Sequence, residues 1–120
     1  MKATYWQKGE VLDFTPTEDV KNGQVVPLVS RVGIAGSDIA AGEQGHLHVV
    51  GVFEMDKDDT VAIEAGAVVY YDAANDVITT TASATTGEEG NQQTVNNIPA
   101  GYAVADAAKA DTTVLVKLLG

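Results

Sequence analysis

The chain has 120 residues, of which 45% are hydrophobic and only 6% aromatic, and its 17 acidic and 7 basic residues give a formal charge of −10. This length fits a single domain, residues 1–120, whose one small core must be filled mainly by aliphatic side chains. The negative charge argues against binding to nucleic acid, the absence of cysteine excludes disulfides and thiolate metal sites, and no apolar run reaches the roughly 20 residues of a membrane helix.

An extended segment that holds the only tryptophan opens the chain. Tryptophan is enriched at the centres of interfaces, and this segment also carries two of the 7 basic residues. We therefore predict that residues 1–15 form an arm that contacts a partner through Lys2, Tyr5, Trp6 and Lys8. The alternative is an ordinary first strand, which Val11, Leu12 and Phe14 would continue.

The first residues lack the apolar core of a secretory signal, so we expect a soluble protein made in the cytoplasm.

Short β segments follow the arm. A turn signal at Asn22 and Gly23 precedes a strand over residues 24–29, which Pro27 confines to a sheet edge because proline has no N–H to donate. Residues 31–35 predict the next short strand. Residues 36–45 contain three glycines and predict a loop.

Residues 42–55 predict the strand around which the domain is organised. Leu47, Val49, Phe53 and Met55 recur at period two on one face, with a gap at Gly51, while His46, His48 and Glu54 fall on the other. This alternation is typical of a strand with one face in water.

The second half predicts more antiparallel β structure. Residues 68–72 and 77–81 predict a hairpin, residues 61–63 and 98–105 further strands, and residues 112–119 a terminal strand. Residues 79–97 are polar without apolar periodicity and predict a long, exposed, flexible loop. The one candidate helix, residues 105–110, is too short to stand alone in water. The predicted fold is all-β, a small antiparallel barrel or sandwich of short strands with long loops.

Chemical motifs are scarce. His46 and His48 could chelate a divalent metal together with Glu54, but no third ligand stands at a suitable spacing, so we favour two imidazoles on a polar surface. Residues 56–59 begin like a calcium loop, yet Val61 occupies the position that needs glycine. No nucleophile elbow or phosphate-binding loop occurs. We predict no catalytic, cofactor-binding or metal-binding residues, and a protein that is not an enzyme.

Six segments together resemble a known family. They are YWQKGE (residues 5–10), RVGIAGSDIAAGEQG (31–45), GVFE (51–54), AGAVVYYD (65–72), AGYAV (100–104) and VLVKL (114–118). The chain is similar over nearly its whole length to the DUF2190 family of tailed-phage and prophage proteins, which is associated with capsid decoration, or cement, proteins. Residues 79–97 look longer than the connection usual in that family.

The resemblance implies a role but no active-site residues. It implies a decoration protein that binds the major capsid protein on the outer surface of the head as a homotrimer, stabilises the shell, and is made in the cytoplasm of a bacterial host. Neither nucleic acid nor a membrane is an expected partner. The alternative is a small carbohydrate-binding or adhesive β module, although the cluster of exposed aromatics typical of such modules is not evident.

Overall fold

The structure, a computed structural model, describes residues 1–119, and at positions 84 and 86 the backbone alone. Within that range the chain forms strands and no helix, which confirms the predicted all-β class. The strands are β1 (Val11–Phe14), β2 (Val25–Leu28), β3 (Arg31–Ala35), β4 (Gly45–His48), β5 (Val52–Asp56), β6 (Val68–Asp72), β7 (Val77–Thr79), β8 (Ser83–Thr86), β9 (Gln93–Asn96), β10 (Ile98–Ala103) and β11 (Thr113–Leu118).

The strands form two main antiparallel sheets. The first has four strands in the order β1-β4-β3-β2, and the second has five in the order β5-β11-β10-β6-β7. A single bridge between Lys57 and Ile78 joins the two edges of the second sheet, but neither sheet closes on itself. The architecture is therefore a sandwich, one of the two that the sequence predicts.

The main core lies between the sheets. On β11 the alternation predicted for the terminal strand is observed, because Val114, Val116 and Leu118 are buried while the residues between them are exposed. They pack with Val32 and Ile34 of β3, which reach across from the first sheet. Apolar alternation on both sheets thus produces one shared interior.

The first sheet is covered on its opposite face as well. There Val26, Ala35 and Leu47 pack in a second, smaller cluster with Val20 and Ile39, which lie on the loops before β2 and β4. These loops are joined by reciprocal backbone hydrogen bonds of 2.8 Å between Val20 and Ile39. As a result β3 is buried on both faces.

Residues 42–55, predicted as one long strand, form two. β4 belongs to the four-stranded sheet and β5 to an edge of the five-stranded sheet, and the chain crosses between them at Val49–Gly51. Gly51 has a φ of 128°, which L side chains rarely adopt, so it marks the crossing rather than a gap in one strand. The period-two alternation keeps the same phase on both sides of the crossing, so the pattern alone does not reveal the break.

The segment predicted as an exposed loop, residues 79–97, contains a hairpin. β8 and β9 pair with each other and with no other strand in the described chain, and every side chain of β9 is exposed. Thr85 and Thr94 are joined across the pair by a 3.0 Å hydroxyl hydrogen bond. Such polar cross-strand pairs support a sheet without apolar periodicity, which is why the sequence pattern did not indicate it.

Four other predictions in this half have clear outcomes. The hairpin of β6 and β7 and the strand β10 are present. Residues 61–63 contribute only an isolated bridge from Ile63 to Ala107, and residues 105–110, the candidate helix, form turns around that bridge. Ala107 is buried against Ile63 in the main core, so tertiary packing outweighs its helix propensity.

Gly101 fixes an irregularity at the centre of the second sheet. The pairing of β10 with β6 shifts register between Pro99 and Gly101, as at a β-bulge. Gly101 has a φ of 156°, and a Cβ there would overlap the carbonyl oxygen of Lys117 on β11. Only glycine fits this position.

Candidate functional site

An open cleft of about 550 Å³ lies at one side of the sandwich. It is bounded by the first sheet and by β5 and β7, the two edge strands of the second sheet. It is lined by residues from four separate parts of the chain: Asn22–Val25, Ile34–Gly36, His48 with Phe53–Asp56, and Tyr71 with Asp76–Ile78.

Register explains why the cleft forms at this place. Ile34 of β3 pairs with His48 of β4, and His48 pairs with Val11 of β1, so all three lie on the face that looks toward the second sheet. Ile34 is buried in the main core, whereas the same face is half-buried at His48 on β4 and exposed at Val11 on β1. The cleft is the step between the covered and the uncovered part.

His48 bounds this step. Its ring lies 6.2 Å from the ring of Phe53, centroid to centroid, and the two rings bridge the sheets. Its Nε2 approaches the backbone at Gly36 so closely that a Cβ there would lie 3.0 Å away. Glycine at position 36 therefore gives the imidazole its place at the edge of the cleft.

Tyr71 and Asp76 form the polar part of the opposite wall. The Tyr71 hydroxyl donates a 2.6 Å hydrogen bond to Oδ1 of Asp76. Burial, and then this hydrogen bond, raise the pKa of Tyr71 well above its usual value. Asp76 sits at a φ of 54° in the turn between β6 and β7, a left-handed conformation that aspartate tolerates better than most residues.

The charge of the cleft has one sign. Glu54, Asp56 and Asp76 line it, and no lysine or arginine among residues 1–119 does. Its floor is apolar, with Val25, Met55 and other core side chains. No serine or threonine lines it beside His48, so the arrangement lacks the nucleophile–base pair of a hydrolase. Its chemistry suits binding of an apolar group that carries positive charge.

The predicted contact residues lie outside the cleft, on the segment that precedes β1. This segment, residues 1–10, has no regular secondary structure, and from here on we call it the arm. Tyr5 is 80% exposed and Trp6 is 90% exposed, and Lys2 and Lys8 are exposed as well. The remaining part of the predicted segment, Val11–Phe14, pairs with β4 as a strand.

The arm leaves the body beside the cleft. The backbone carbonyl of Glu10 accepts a 3.0 Å hydrogen bond from the N–H of Val49, and Val11 is the register partner of His48. The arm and the cleft thus share one side of the molecule. Sequence reasoning singled out the arm but missed the cleft, because its walls come from four distant segments and none of them carries a local motif.

His46 and His48 do project from the same face of β4, as predicted. Nε2 of His46 lies 3.5 Å from Oδ1 of Asp13 on β1, and both side chains are largely exposed. His48 instead contacts Phe53 at the cleft. Throughout the described residues, no group of three histidine, aspartate or glutamate side chains is placed to hold a metal ion. In the same range no helix is long and apolar enough to cross a membrane.

Comparison with known proteins identifies a family. Neither the curated proteins nor the solved structures contain a protein that matches the chain significantly. A family model described as "Phage cement protein" matches residues 6–118, which includes Trp6, the whole sandwich and the hairpin of β8 and β9. The chain therefore belongs to the phage cement protein family, a structural rather than an enzymatic family, and this membership supports a capsid-decorating role in the phage virion.

Proposed function

We propose that the protein binds the outer surface of a phage head as a homotrimer, contacts the major capsid protein there and stabilises the shell. Family membership supports attachment to a capsid. The outer surface, the trimer and the stabilising effect are our additions to it. The arm supplies contacts through Lys2, Tyr5, Trp6 and Lys8.

The observation that carries the proposal is the exposure of Trp6. Burying a large apolar side chain is worth about 3 kcal/mol, so an indole that is 90% exposed on an isolated copy is a strong candidate for burial against a partner. The charges of the arm differ from those of the body as well. Residues from 11 onward hold sixteen of the 17 acidic residues but only five of the 7 basic ones. Because the arm is basic and aromatic while the body is acidic, the charge distribution favours one orientation of the protein on its partner.

Co-sedimentation with heads that lack the protein tests this proposal. We expect the purified protein to pellet with such heads, and decorated heads to withstand a higher temperature before they release DNA, because a ligand that binds the assembled state stabilises it. Bovine serum albumin, which is also acidic, is the control for non-specific trapping in the pellet. Protein that stays in the supernatant at all concentrations would refute attachment, and an unchanged release temperature would refute stabilisation.

A further inference from the structure

We infer that the arm of one copy docks in the cleft of a neighbouring copy, with Trp6 as its anchor. This inference rests on the proposed trimer and names the contact that joins its members. The arm is exposed along its length and the cleft is open, so each copy presents both halves of the contact.

The cleft has the size and polarity of an aromatic-binding site. Its volume of about 550 Å³ lies within the usual range of binding pockets, roughly 300–1,000 Å³, and its floor is formed by Val25, Met55 and Ile78. A tryptophan side chain buries about 150–250 Å² when it is covered. The cleft therefore has room for the indole and part of an adjoining residue.

Charge favours the same occupant. In an extended arm, Lys2, Trp6 and Lys8 lie on one face, because side chains alternate at period two. When the Trp6 indole packs against the apolar floor of the cleft, the two lysines approach its rim, where Glu54 and Asp76 supply negative charge. Tyr5 then points away from the neighbour and is left to face the shell, so that both roles of the arm are compatible.

Reach and exposure favour a neighbouring copy. Trp6 lies five residues before Val11, so an extended arm carries the indole about 17 Å from the body, far enough to contact a copy packed against that side. In the structure Trp6 does not occupy its own cleft, since 90% of its side chain is exposed. An arm-to-cleft contact uses two different surfaces, and such a heterologous contact closes into a trimeric ring when it relates neighbouring copies by a rotation of about 120°.

The absence of cysteine allows a clean crosslinking test. Lys8→Cys and Glu54→Cys variants, one of them carrying a tag that changes its mass, are mixed and treated with a short bis-maleimide, both on heads and in concentrated solution. We expect a crosslinked species that contains one copy of each variant. Adding Trp6→Ala to the Lys8→Cys chain should lower its yield about tenfold, equivalent to the loss of about 1.4 kcal/mol of binding.

Matched controls separate docking from random collision. Val29→Cys replaces Glu54→Cys in the first control, because Val29 is fully exposed in the turn after β2, at the end of that strand away from the cleft. Thr4→Cys replaces Lys8→Cys in the second, because Thr4 shares the face of Trp6 in an extended arm and its replacement keeps both lysines. We expect little product with Val29→Cys and the mixed product again with Thr4→Cys.

Three results would overturn the inference. The first is equal yields with Glu54→Cys and Val29→Cys, and the second is a yield that Trp6→Ala leaves unchanged. The third is a crosslink within one chain of the Lys8→Cys/Glu54→Cys double variant in place of the mixed species, since the arm would then fold back on its own cleft. If the wild-type protein pellets with heads under any of these results, the proposed function stands without the inference. If it does not pellet, the proposed function fails independently.

Discussion

Lys57, at the end of β5, is the charged side chain that the described structure buries most deeply, with 3% of its surface exposed. Its ammonium group donates hydrogen bonds to the carbonyl oxygens of Asp58, Lys109 and Asp111, at 2.7, 3.0 and 3.2 Å. It therefore ties the turn before β11 to the edge strand β5. A buried charge is tolerated here because each of its three protons has an acceptor.

We expect Lys57→Met to lower the free energy of unfolding by about 3 kcal/mol, because three carbonyls lose their donor while the side chain keeps its length. Lys109→Met is the matched control. Its side chain is exposed and only its backbone carbonyl takes part, so it should change stability by less than about 0.5 kcal/mol. Urea unfolding of the three proteins measures both effects. Equal midpoints for the two variants would show that the Lys57 contacts add nothing.

Tyr71 makes stability depend on pH in the alkaline range. Its pKa is raised in the folded state by burial and then by the hydrogen bond to Asp76, so the fold favours the neutral phenol. In the unfolded chain tyrosine titrates near pH 10. The stabilisation is thus fully present below about pH 10 and is lost as pH rises from there toward the folded pKa, at up to about 1.4 kcal/mol per pH unit.

Urea unfolding of the wild type and of Tyr71→Phe between about pH 8 and about pH 11 tests this dependence, because this range includes the usual tyrosine pKa of about 10. The variant should be less stable at pH 8, because Asp76 loses its donor, and should lose less stability than the wild type above pH 10. Tyr5→Phe, at an exposed position of the arm, should follow the wild-type curve. Parallel curves for the wild type and Tyr71→Phe would contradict the assignment.

The arm is the element whose removal separates function from folding. Deleting residues 1–10 leaves β1 intact, since that strand begins at Val11. We expect the melting temperature to change by less than about 4 °C, as for a loss under 1 kcal/mol, while attachment to heads is abolished. A thermal melt and a co-sedimentation assay on the truncated protein measure the two properties.

Trp6→Ala in the full-length chain is the companion variant, because it keeps the length of the arm. Unfolding of the truncated protein would show that the segment belongs to the core. Undiminished pelleting of a folded truncation would show that the arm is not needed for attachment.

At the scale of elements, sequence pattern predicted strands best where one face is buried and the other exposed. β11 shows this alternation along its whole length, and the turn residues between β6 and β7 mark their hairpin. Pro27 correctly indicated an edge, because β2 is the last strand of its sheet. The pattern failed where its physical basis was missing: every side chain of β9 is exposed, and the break between β4 and β5 preserves the alternation.

At the scale of the whole molecule, sequence reasoning singled out the exposed segment before β1 but not the cleft, and the role of that segment as a contact arm stays a prediction. Lys2, Trp6 and Lys8 lie close together in the chain, so the sequence alone shows that they belong to one segment. The cleft depends on how four distant segments are brought together, and the pairing of β4 with β1 and β3 sets where its His48 wall lies. Long-range register of this kind has no local signal. The family match to residues 6–118 covers the cleft and, in the arm, Trp6 and Lys8.

Imaging of phage heads with and without the protein tests the central claim most directly. If the protein is a decoration protein that binds as a trimer, added protein should produce new density on the outer surface, at positions with three-fold symmetry and a mass of three 12.5 kDa copies each. The protein lacking residues 1–10 should produce none. Heads whose outer surface is unchanged by saturating wild-type protein, or new density without three-fold arrangement, would contradict the account.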